Sequence, residues 1–351
     1  MIKPARHILS LQPYNLSKRD YLNKDYIKLD WNESQFPLNK RLREFLINQV
    51  NTIDFNLYPK LINENLILKL SVYSGVSREN ISVFPGSDVG LENICRTFLS
   101  HGDKAISIGP TYDNFRIFVA STGATHEVIY PESIEKYSLK NQLFRIKKAP
   151  KLVYFTNPNN PLSYITNKIE IQEILNKFNE TLFICDEAYY EFSKNSNIDL
   201  LEKNENIVFS RSFSKAMGLA GLRIGYLIAN SSILGFIDRI KNFKNLTSIS
   251  QETASFLLDN LDLLDERIID NEKSKQVIIN YLKEKNINFF AGKTNFILLD
   301  TRESPKIKEN LISNKFIFRE FGSNFLKGYI RITYPKSIYA EKLCHSIGES
   351  T

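Results

Sequence analysis

The sequence predicts an α/β protein with two domains. The larger is built on a mostly parallel, seven-stranded sheet between helices, and a small α+β domain follows it. Two observations carry this prediction. Short apolar strands alternate with amphipathic helices between residues 81 and 229, which indicates right-handed crossovers and a sheet covered on both faces. Beyond residue 285, strands and helices occur without strict alternation, which is typical of a separate α+β unit.

The predicted elements follow from apolar periodicity along the chain. Two helices come first, at residues 39–50 and 61–73, and Ser74-Gly75 ends the second. The strands predicted for the sheet are 81–84, 105–108, 124–130, 152–156, 182–185, 207–209 and 224–229. A long helical pattern runs from 231 to about 285, and the last part holds strands at 295–299, 316–319 and 329–333 with helices at 306–313 and 337–345. We therefore expect an N-terminal segment (1–40), a large domain (41–240) and a small domain (241–351).

Composition and charge argue against a nucleic-acid-binding or membrane protein. The net charge of +7 comes from lysines scattered among acids, without the basic block or aromatic-interleaved stripe that binds nucleic acid. No run approaches the ~18 apolar residues that span a bilayer, and the first twelve residues lack the apolar core of a secretion signal. The three cysteines are far apart and lack metal-ligand spacing, which argues against disulfides and a metal site. We expect a cytoplasmic protein.

One stretch, residues 211–223, combines features of a phosphate site and a reactive amine. It contains two arginines, serines, glycines and Lys215, with no acidic residue among them. Serine hydroxyls, loop amides and arginine suit a phosphate, and positive neighbours favour the neutral, nucleophilic form of a lysine. An amine beside a phosphate site suggests a Schiff base to pyridoxal phosphate (PLP). A basic surface loop is the alternative that this stretch alone leaves open.

Polar groups follow five of the predicted strands, where ligands bind in an open parallel sheet. The groups are Gly86-Ser87-Asp88, Pro110-Thr111-Tyr112, residues 157–161, Asp186-Glu187, and Ser212 with Ser214 and Lys215. We expect all five to meet at one edge of the sheet. This convergence is a stronger signal than any one motif.

Each group has a plausible chemical task and an ordinary structural alternative. Gly86-Ser87 opens a helix whose free amides suit a phosphate, although the pair taken alone is more typical of a simple N-cap. Asp186 could pair with a protonated ring nitrogen, or only bond a loop. Tyr112 could stack on a ring or belong to the core.

Three further residues also have both a functional and an ordinary structural interpretation. Asn160 and Tyr189 could donate to a phenolic oxygen, whereas an Asn-Pro run also forms simple turns. Arg331, on an apolar strand, could grip a substrate carboxylate or face solvent from an edge.

Through these residues, the chain resembles the fold-type I PLP-dependent aminotransferases of the histidinol-phosphate aminotransferase group. Three motifs carry the resemblance, in the expected order: Asn157-Pro-Asn-Asn160-Pro161, Asp186-Glu-Ala-Tyr189 and the run from Ser212 to Arg223. The resemblance covers nearly the whole chain, from Pro13-Tyr14 to Arg331.

The resemblance implies a role for each matching residue. Lys215 forms the Schiff base and moves the substrate proton, Asp186 pairs with the ring nitrogen, Asn160 and Tyr189 contact the phenolic oxygen, and Tyr112 stacks on the ring. The residues implied around the phosphate are Gly86, Ser87, Asp88, Ser212, Ser214 and Arg223. Tyr58 matches the tyrosine that reaches the neighbouring subunit's phosphate, which implies a homodimer. The resemblance also implies that the N-terminal segment packs with the small domain and the partner. Arg331 matches the clamp for a substrate α-carboxylate, and Tyr14, Asn32 and Arg319 match positions of the substrate pocket, with Arg319 a candidate for a substrate phosphate.

The chain departs from the family's pattern at three places. Leu162-Ser163 stands where Thr-Gly is usual, so we expect the turn after Pro161 to be made differently. Residues 34–37 replace the usual Asn-Pro-Tyr/Phe-Gly beside the substrate, and Phe115 stands where tyrosine is frequent. All three departures bear on substrate identity.

The leading hypothesis is a PLP-dependent aminotransferase that passes an amino group, expected from glutamate, to a small phosphorylated keto substrate. A phosphorylated keto-alcohol of surface-polysaccharide biosynthesis is an alternative acceptor to the histidinol-phosphate type. Decarboxylation of a phospho-amino acid uses the same cofactor residues, so the motifs do not separate the two reactions. A non-catalytic binding protein is disfavoured because Lys215, Asp186 and Arg223 are all present.

Overall fold

The computed structural model describes residues 2–9, 11 and 25–348. The chain begins with a short helix α1 (Arg6–Leu9), strand β1 (Ile27–Lys28), and helices α2 (Lys40–Thr52) and α3 (Glu64–Ser74). The cap of α3 shows how local sequence sets its ends. The Asn63 side chain accepts a hydrogen bond from the backbone N–H of Leu66, and Gly75 ends the helix in a left-handed conformation with φ 69°.

A seven-stranded sheet organises the following residues, as the alternating pattern predicts. Its strands are β2 (Ile81–Phe84), β3 (Lys104–Ile108), β4 (Thr125–Ile129), β5 (Leu152–Thr156), β6 (Leu182–Asp186), β7 (Ile207–Ser212) and β8 (Gly225–Ala229). The strand order is β2-β8-β7-β6-β5-β3-β4, and only β8 runs antiparallel to its neighbours. The helices that connect these strands or follow them are α4 (Ser87–Phe98), α5 (Phe115–Ser121), α6 (Leu139–Phe144), α7 (Lys168–Lys177), α8 (Tyr190–Ser193) and α9 (Ser231–Asp238).

Apolar side chains cover the sheet on both faces. Helices α4, α5 and α9 contribute to the cluster on one face, through residues such as Leu91, Phe115 and Leu234. The cluster on the other face includes residues of α2, α3 and α7. Because side chains alternate along a strand, each strand presents one set of residues to each layer. This alternation decides which polar residues at the strand ends share a face.

The long helical pattern after residue 231 is divided into separate helices, α9, α10 (Ser248–Asp259) and α11 (Asp262–Glu284). A new start is set at Thr247, whose side chain accepts from the backbone N–H of Ser250. Helix α10 packs against α2 and α3. The boundaries at residues 40 and 240 stay a prediction.

The remaining residues form a small α+β unit. Its strands are β9 (Phe289–Ala291), β10 (Phe296–Asp300), β11 (Phe316–Ile317), β12 (Arg319–Glu320) and β13 (Tyr329–Thr333), and its helices are α12 (Lys306–Ser313) and α13 (Ala340–Gly348). Four of the strands form an antiparallel sheet in the order β12-β13-β10-β9, and β11 pairs with β1 in parallel. Across the described ranges, no helix is both long and apolar enough to cross a membrane.

Candidate active site

The five polar groups predicted to converge follow strands that end at the same edge of the large sheet. Strands β3, β5, β6 and β7 are parallel, and β2 shares their direction because β8, antiparallel to both, lies between β2 and β7. The reversed β8 brings its own beginning to this edge. Gly225 there lies so close to Ser87 that an added Cβ would sit 2.3 Å from the Ser87 backbone nitrogen. Arg223 therefore reaches the group that follows β2.

Asp186 ends β6 as a buried carboxylate held by neutral donors. Its side chain is 5% exposed. The Tyr154 hydroxyl donates to Oδ2 at 2.7 Å, and the Ala188 backbone N–H donates to Oδ1 at 3.0 Å. Burial raises the pKa of Asp186 to about 6, and the two hydrogen bonds oppose that rise. Within the described ranges no lysine or arginine forms an ion pair with it, so its charge can meet a cation from outside the protein.

Lys215 lies in the loop after β7, with its amine turned toward the N-terminal segment. Its Nζ donates to the Trp31 carbonyl oxygen at 2.7 Å. Burial, with the charge of Arg331, lowers the pKa of Lys215 to about 8. A much larger fraction of this amine is therefore neutral near neutral pH than of an ordinary lysine, and the neutral form is the nucleophile.

The loop that carries Lys215 is fastened from behind by a buried arginine of α11. Arg267 Nη1 donates to the Met217 carbonyl oxygen at 2.6 Å. Gly218 has φ 68°, and a Cβ at this position would lie 2.4 Å from Arg267 Nη1. The glycine thus allows both the left-handed turn and the close approach of Arg267.

A second turn, between β2 and α4, faces Arg223. Gly86 has φ 81°, and a Cβ added there would lie 2.6 Å from Arg223 Nη2. Arg223 donates to the Ser214 hydroxyl at 3.5 Å and to Asp88 Oδ2 at 3.3 Å, and the Ser212 hydroxyl accepts from the Ser214 N–H. Guanidinium, hydroxyls and the N-terminal amides of a helix together suit a phosphate.

Tyr112 belongs to the same wall. Its hydroxyl donates to Asp88 Oδ1 at 3.0 Å. Asp88 therefore links Tyr112 to Arg223. The link holds the Tyr112 ring beside the turn, while Asp88 is engaged by protein donors.

The opposite wall comes from the small sheet. Arg331 is 8% exposed on β13, an inner strand. Its Nη1 donates to Asn160 Oδ1 and its Nη2 to the Asp30 carbonyl oxygen, both at 2.6 Å. Arg319 is the cross-strand partner of Arg331 on β12. Arg331 is thus an inward-facing arginine and not a solvent-facing residue of an edge strand.

Tyr189 joins the two walls through its hydroxyl. The amide of Asn32 donates to it at 2.8 Å, and the amide of Asn160 at 3.3 Å. Asn32 is fully buried with φ 56°, and its backbone N–H donates to the Thr333 hydroxyl at 3.0 Å. Asn32 therefore connects the N-terminal segment to β13 beside the site.

Two of the predicted site residues and the turn after Pro161 lie apart from the contacts described above. Tyr58 is 76% exposed, and the Lys244 amine lies 4.5 Å from its ring centroid. Tyr14 lies outside the described residues. The turn after Pro161 is made by Ser163 with φ 62°, and its hydroxyl is 2.6 Å from that of Thr294. Serine thus adopts the left-handed conformation that glycine favours.

Two contributors were not identified from the sequence. Tyr154 lies inside the apolar strand β5 and has the pattern of a core residue, and Trp31 contributes a backbone oxygen, which no side-chain pattern reveals. A usable signal for Tyr154 was its place two residues before the end of β5, on the face that Asp186 shares in the neighbouring strand.

The arrangement fits three groups of PLP, namely its ring nitrogen, its phosphate and its aldehyde. Asp186 offers a negative charge without an ion-pair partner in the described ranges, Gly86 brings the first turn of α4 against the Arg223 guanidinium, and Lys215 offers an amine with a depressed pKa. Asn160 contacts both the Tyr189 hydroxyl and Arg331.

Comparison with known proteins gives consistent matches. The profile of the family described as aminotransferase class I and II matches residues 24–347. Histidinol-phosphate aminotransferase 1 of Carboxydothermus hydrogenoformans is 33% identical over 342 residues, 97% of this chain and 96% of the relative. Histidinol-phosphate aminotransferase of Thermoanaerobacter sp. is 33% identical over 309 residues, 87% of this chain and 88% of the relative. The crystal structure of histidinol-phosphate aminotransferase from Sinorhizobium meliloti in complex with pyridoxal-5'-phosphate superposes with a TM-score of 0.87 at 25% identity, covering 100% of this chain and 98% of that one.

Proposed function

Because this chain belongs to the class I and II aminotransferases and is a PLP-dependent transaminase, we propose that it moves an amino group from glutamate to a small phosphorylated keto substrate of the histidinol-phosphate type. The observation that carries the choice of anionic substrates is the pair of arginines, Arg319 and Arg331, opposite each other on β12 and β13. Guanidinium groups bind carboxylate and phosphate in the same bidentate geometry, so one pair can serve both the donor and the acceptor.

The residues of the site divide the work. When bound, PLP supplies an electron-withdrawing ring that stabilises negative charge at the substrate Cα. Asp186 holds the ring nitrogen, Arg223 with Ser212, Ser214 and the Gly86–Asp88 turn holds the phosphate, and Tyr112 lies against the ring. The Lys215 amine would take the proton from the substrate Cα and deliver it to C4′, the former aldehyde carbon of the cofactor.

The substrate side positions the reacting bond. Arg331 anchors the anionic end of the substrate beside Asn160 and Tyr189. These two residues contact the phenolic oxygen of the cofactor. Arg319 and the segment around Asn32 border the rest of the substrate, with Tyr14 as a further proposed pocket residue.

We also infer a homodimer in which Tyr58 reaches the neighbour's cofactor phosphate. The high exposure of Tyr58 supports this, as do the exposed apolar residues around it, Phe55, Leu57, Leu61 and Ile62. A sedimentation measurement should give twice the chain mass, and Tyr58→Phe should weaken PLP binding. A monomeric holoenzyme would overturn the inference.

Three buried, unpaired cysteines support a reducing, cytoplasmic compartment.

The experiment that tests the proposed function follows the cofactor absorbance band in single turnovers. Glutamate alone should bleach the band and release 2-oxoglutarate, and phosphorylated keto acceptors should restore it. The variant Lys215→Ala should abolish both half-reactions. Arg319→Gln should raise KM for the acceptor. The control Arg302→Gln, at an exposed arginine paired with Asp300, should leave that KM unchanged. A band that persists with every amino donor, together with carbon dioxide release from a phospho-amino acid, would replace transamination by decarboxylation.

A further inference from the structure

Tyr154 is a buried phenol in direct contact with Asp186. It is 0% exposed in the middle of β5, and its hydroxyl lies 2.7 Å from Asp186 Oδ2. The strand register pairs Tyr154 with Ile184 and Thr156 with Asp186, so Tyr154 and Asp186 share one face two residues apart. An ionised carboxylate only accepts hydrogen bonds, so the phenol is the donor.

The ring of Tyr154 is fixed by its packing. It stacks on Phe115 with ring centroids 4.2 Å apart and planes 10° from parallel. Both rings are fully buried. Because a tyrosine has only two rotatable side-chain bonds, locking the ring also locks the position of the hydroxyl. The donor is therefore in place before any ligand arrives.

This donor stabilises the charge of Asp186 without cancelling it. Burial alone drives a carboxyl toward its neutral form. A lysine or arginine at this position would counter that effect but would also occupy the charge, whereas a phenol and a backbone N–H leave it unneutralised. The other charged groups acting on Asp186 are Asp88, which disfavours its ionised form, and Lys215, which favours it.

We propose that Tyr154 is a positioning residue that keeps Asp186 ionised and aimed at the cofactor's ring nitrogen. This inference rests on the proposed role of Asp186 in the transaminase. Tyr154 touches neither substrate nor the reacting bond and acts only through the carboxylate. It contributes a hydrogen bond that packing alone does not require, since phenylalanine fills the same space.

The test is the affinity of the cofactor-free protein for PLP, measured from pH 5 to pH 8 on the wild type and Tyr154→Phe. At pH 5, where Asp186 is mostly protonated in both proteins, we expect the variant to bind about tenfold more weakly, which corresponds to about 1.4 kcal/mol, and the difference should shrink above pH 7. The pH at which half of the affinity is lost should rise by about one pH unit, because one pKa unit equals about 1.36 kcal/mol. A merely structural residue would not move this pH.

The matched control is Tyr73→Phe. Tyr73 also donates to a buried carboxylate, Glu191 Oε1 at 3.3 Å, and packs against the cluster on the other face of the sheet. It should leave PLP affinity and its pH dependence unchanged. A Tyr154→Phe profile that superimposes on those of the wild type and this control would refute the proposal.

Asp186→Asn separates this inference from the function on which it rests. If Asp186→Asn binds PLP with wild-type affinity at every pH, then the role of Asp186 itself is wrong. If Asp186→Asn weakens binding while Tyr154→Phe does not, only the role of Tyr154 is wrong. If both weaken it, the double variant should bind like Asp186→Asn, because the hydroxyl acts through the carboxylate.

Discussion

Asp186 and Glu187 are consecutive acids at the end of β6, and both are buried, yet their surroundings differ. Asp186 receives hydrogen bonds from a phenol and a backbone N–H. Glu187 receives Nε and Nη2 of Arg211 on one oxygen, at 3.0 and 2.9 Å, and the Ser196 hydroxyl as well. Strand alternation turns the first toward the edge where α4 begins and the second toward the opposite layer.

The difference shows how a buried charge distinguishes function from structure. A buried charge is costly unless it is paired. Glu187 has its cation in Arg211, which also lies 3.7 Å from the centroid of the Tyr190 ring. Asp186 forms no such ion pair among the described residues, which leaves its charge available to a ligand. The acid without an internal cation is therefore the one we assign to the cofactor.

The largest expected effect comes from replacing Asp186, the acid of the pair that faces the site. Asp186→Ala removes the charge that we assign to the cofactor's ring nitrogen and should slow the glutamate half-reaction by about 10³-fold, as for the loss of a preorganised electrostatic contact. Thermal unfolding of the cofactor-free variant should stay close to that of the wild type. Single-turnover absorbance with glutamate measures the rate. An unchanged rate would mean that Asp186 is another structural acid.

Glu187→Gln should have the opposite pattern, with a loss of stability and an almost unchanged reaction rate. It leaves the buried Arg211 without its ion-pair partner and should lower the free energy of unfolding by about 3 kcal/mol. Folded molecules should still react with glutamate at close to the wild-type rate, because no group of the site is altered. Urea unfolding and single-turnover kinetics on the same sample check both statements. A stable but inactive variant would place Glu187 in the chemistry and erase the distinction.

A smaller effect concerns pH on the core-facing side. Burial raises the pKa of Glu191 to about 7, despite the nearby Arg211. A folded pKa above the unfolded value gives stability that is complete below about pH 4.5 and is lost as pH rises through 7. Between pH 5 and 8 the wild type should therefore lose roughly 2 kcal/mol relative to Glu191→Gln, at about 1.36 kcal/mol per pKa unit. If urea unfolding gives the same change in unfolding free energy between pH 5 and 8 for the wild type and for Glu191→Gln, the prediction is wrong.

Much of the fold and of the site follows from the sequence because strand periodicity is local information. The seven strands, their alternation with helices and the residues after them are readable from apolar runs, and these gave Asp186, Asn160 and Lys215 their places. What the sequence does not contain is the partner of each polar atom. Tyr154 looks like one more apolar-strand aromatic until the register sets it beside Asp186. The break of the helical pattern after residue 238 likewise depends on caps and on packing against α2 and α3.

The smallest effect extends the comparison to Ser163, a buried polar group whose partner is internal. Its hydroxyl bonds that of Thr294, which ties the turn after β5 to the start of β10. Ser163→Gly relieves a left-handed backbone that costs roughly 1 kcal/mol and loses a buried hydrogen bond of about 1 kcal/mol. The net change in unfolding free energy should therefore be within about 1 kcal/mol, with an unchanged glutamate half-reaction. Thr294→Val loses the same bond without the relief and should be the more destabilising. If Ser163→Gly instead slows the half-reaction, then an internal partner does not mark a purely structural group, and the rule drawn from Glu187 fails.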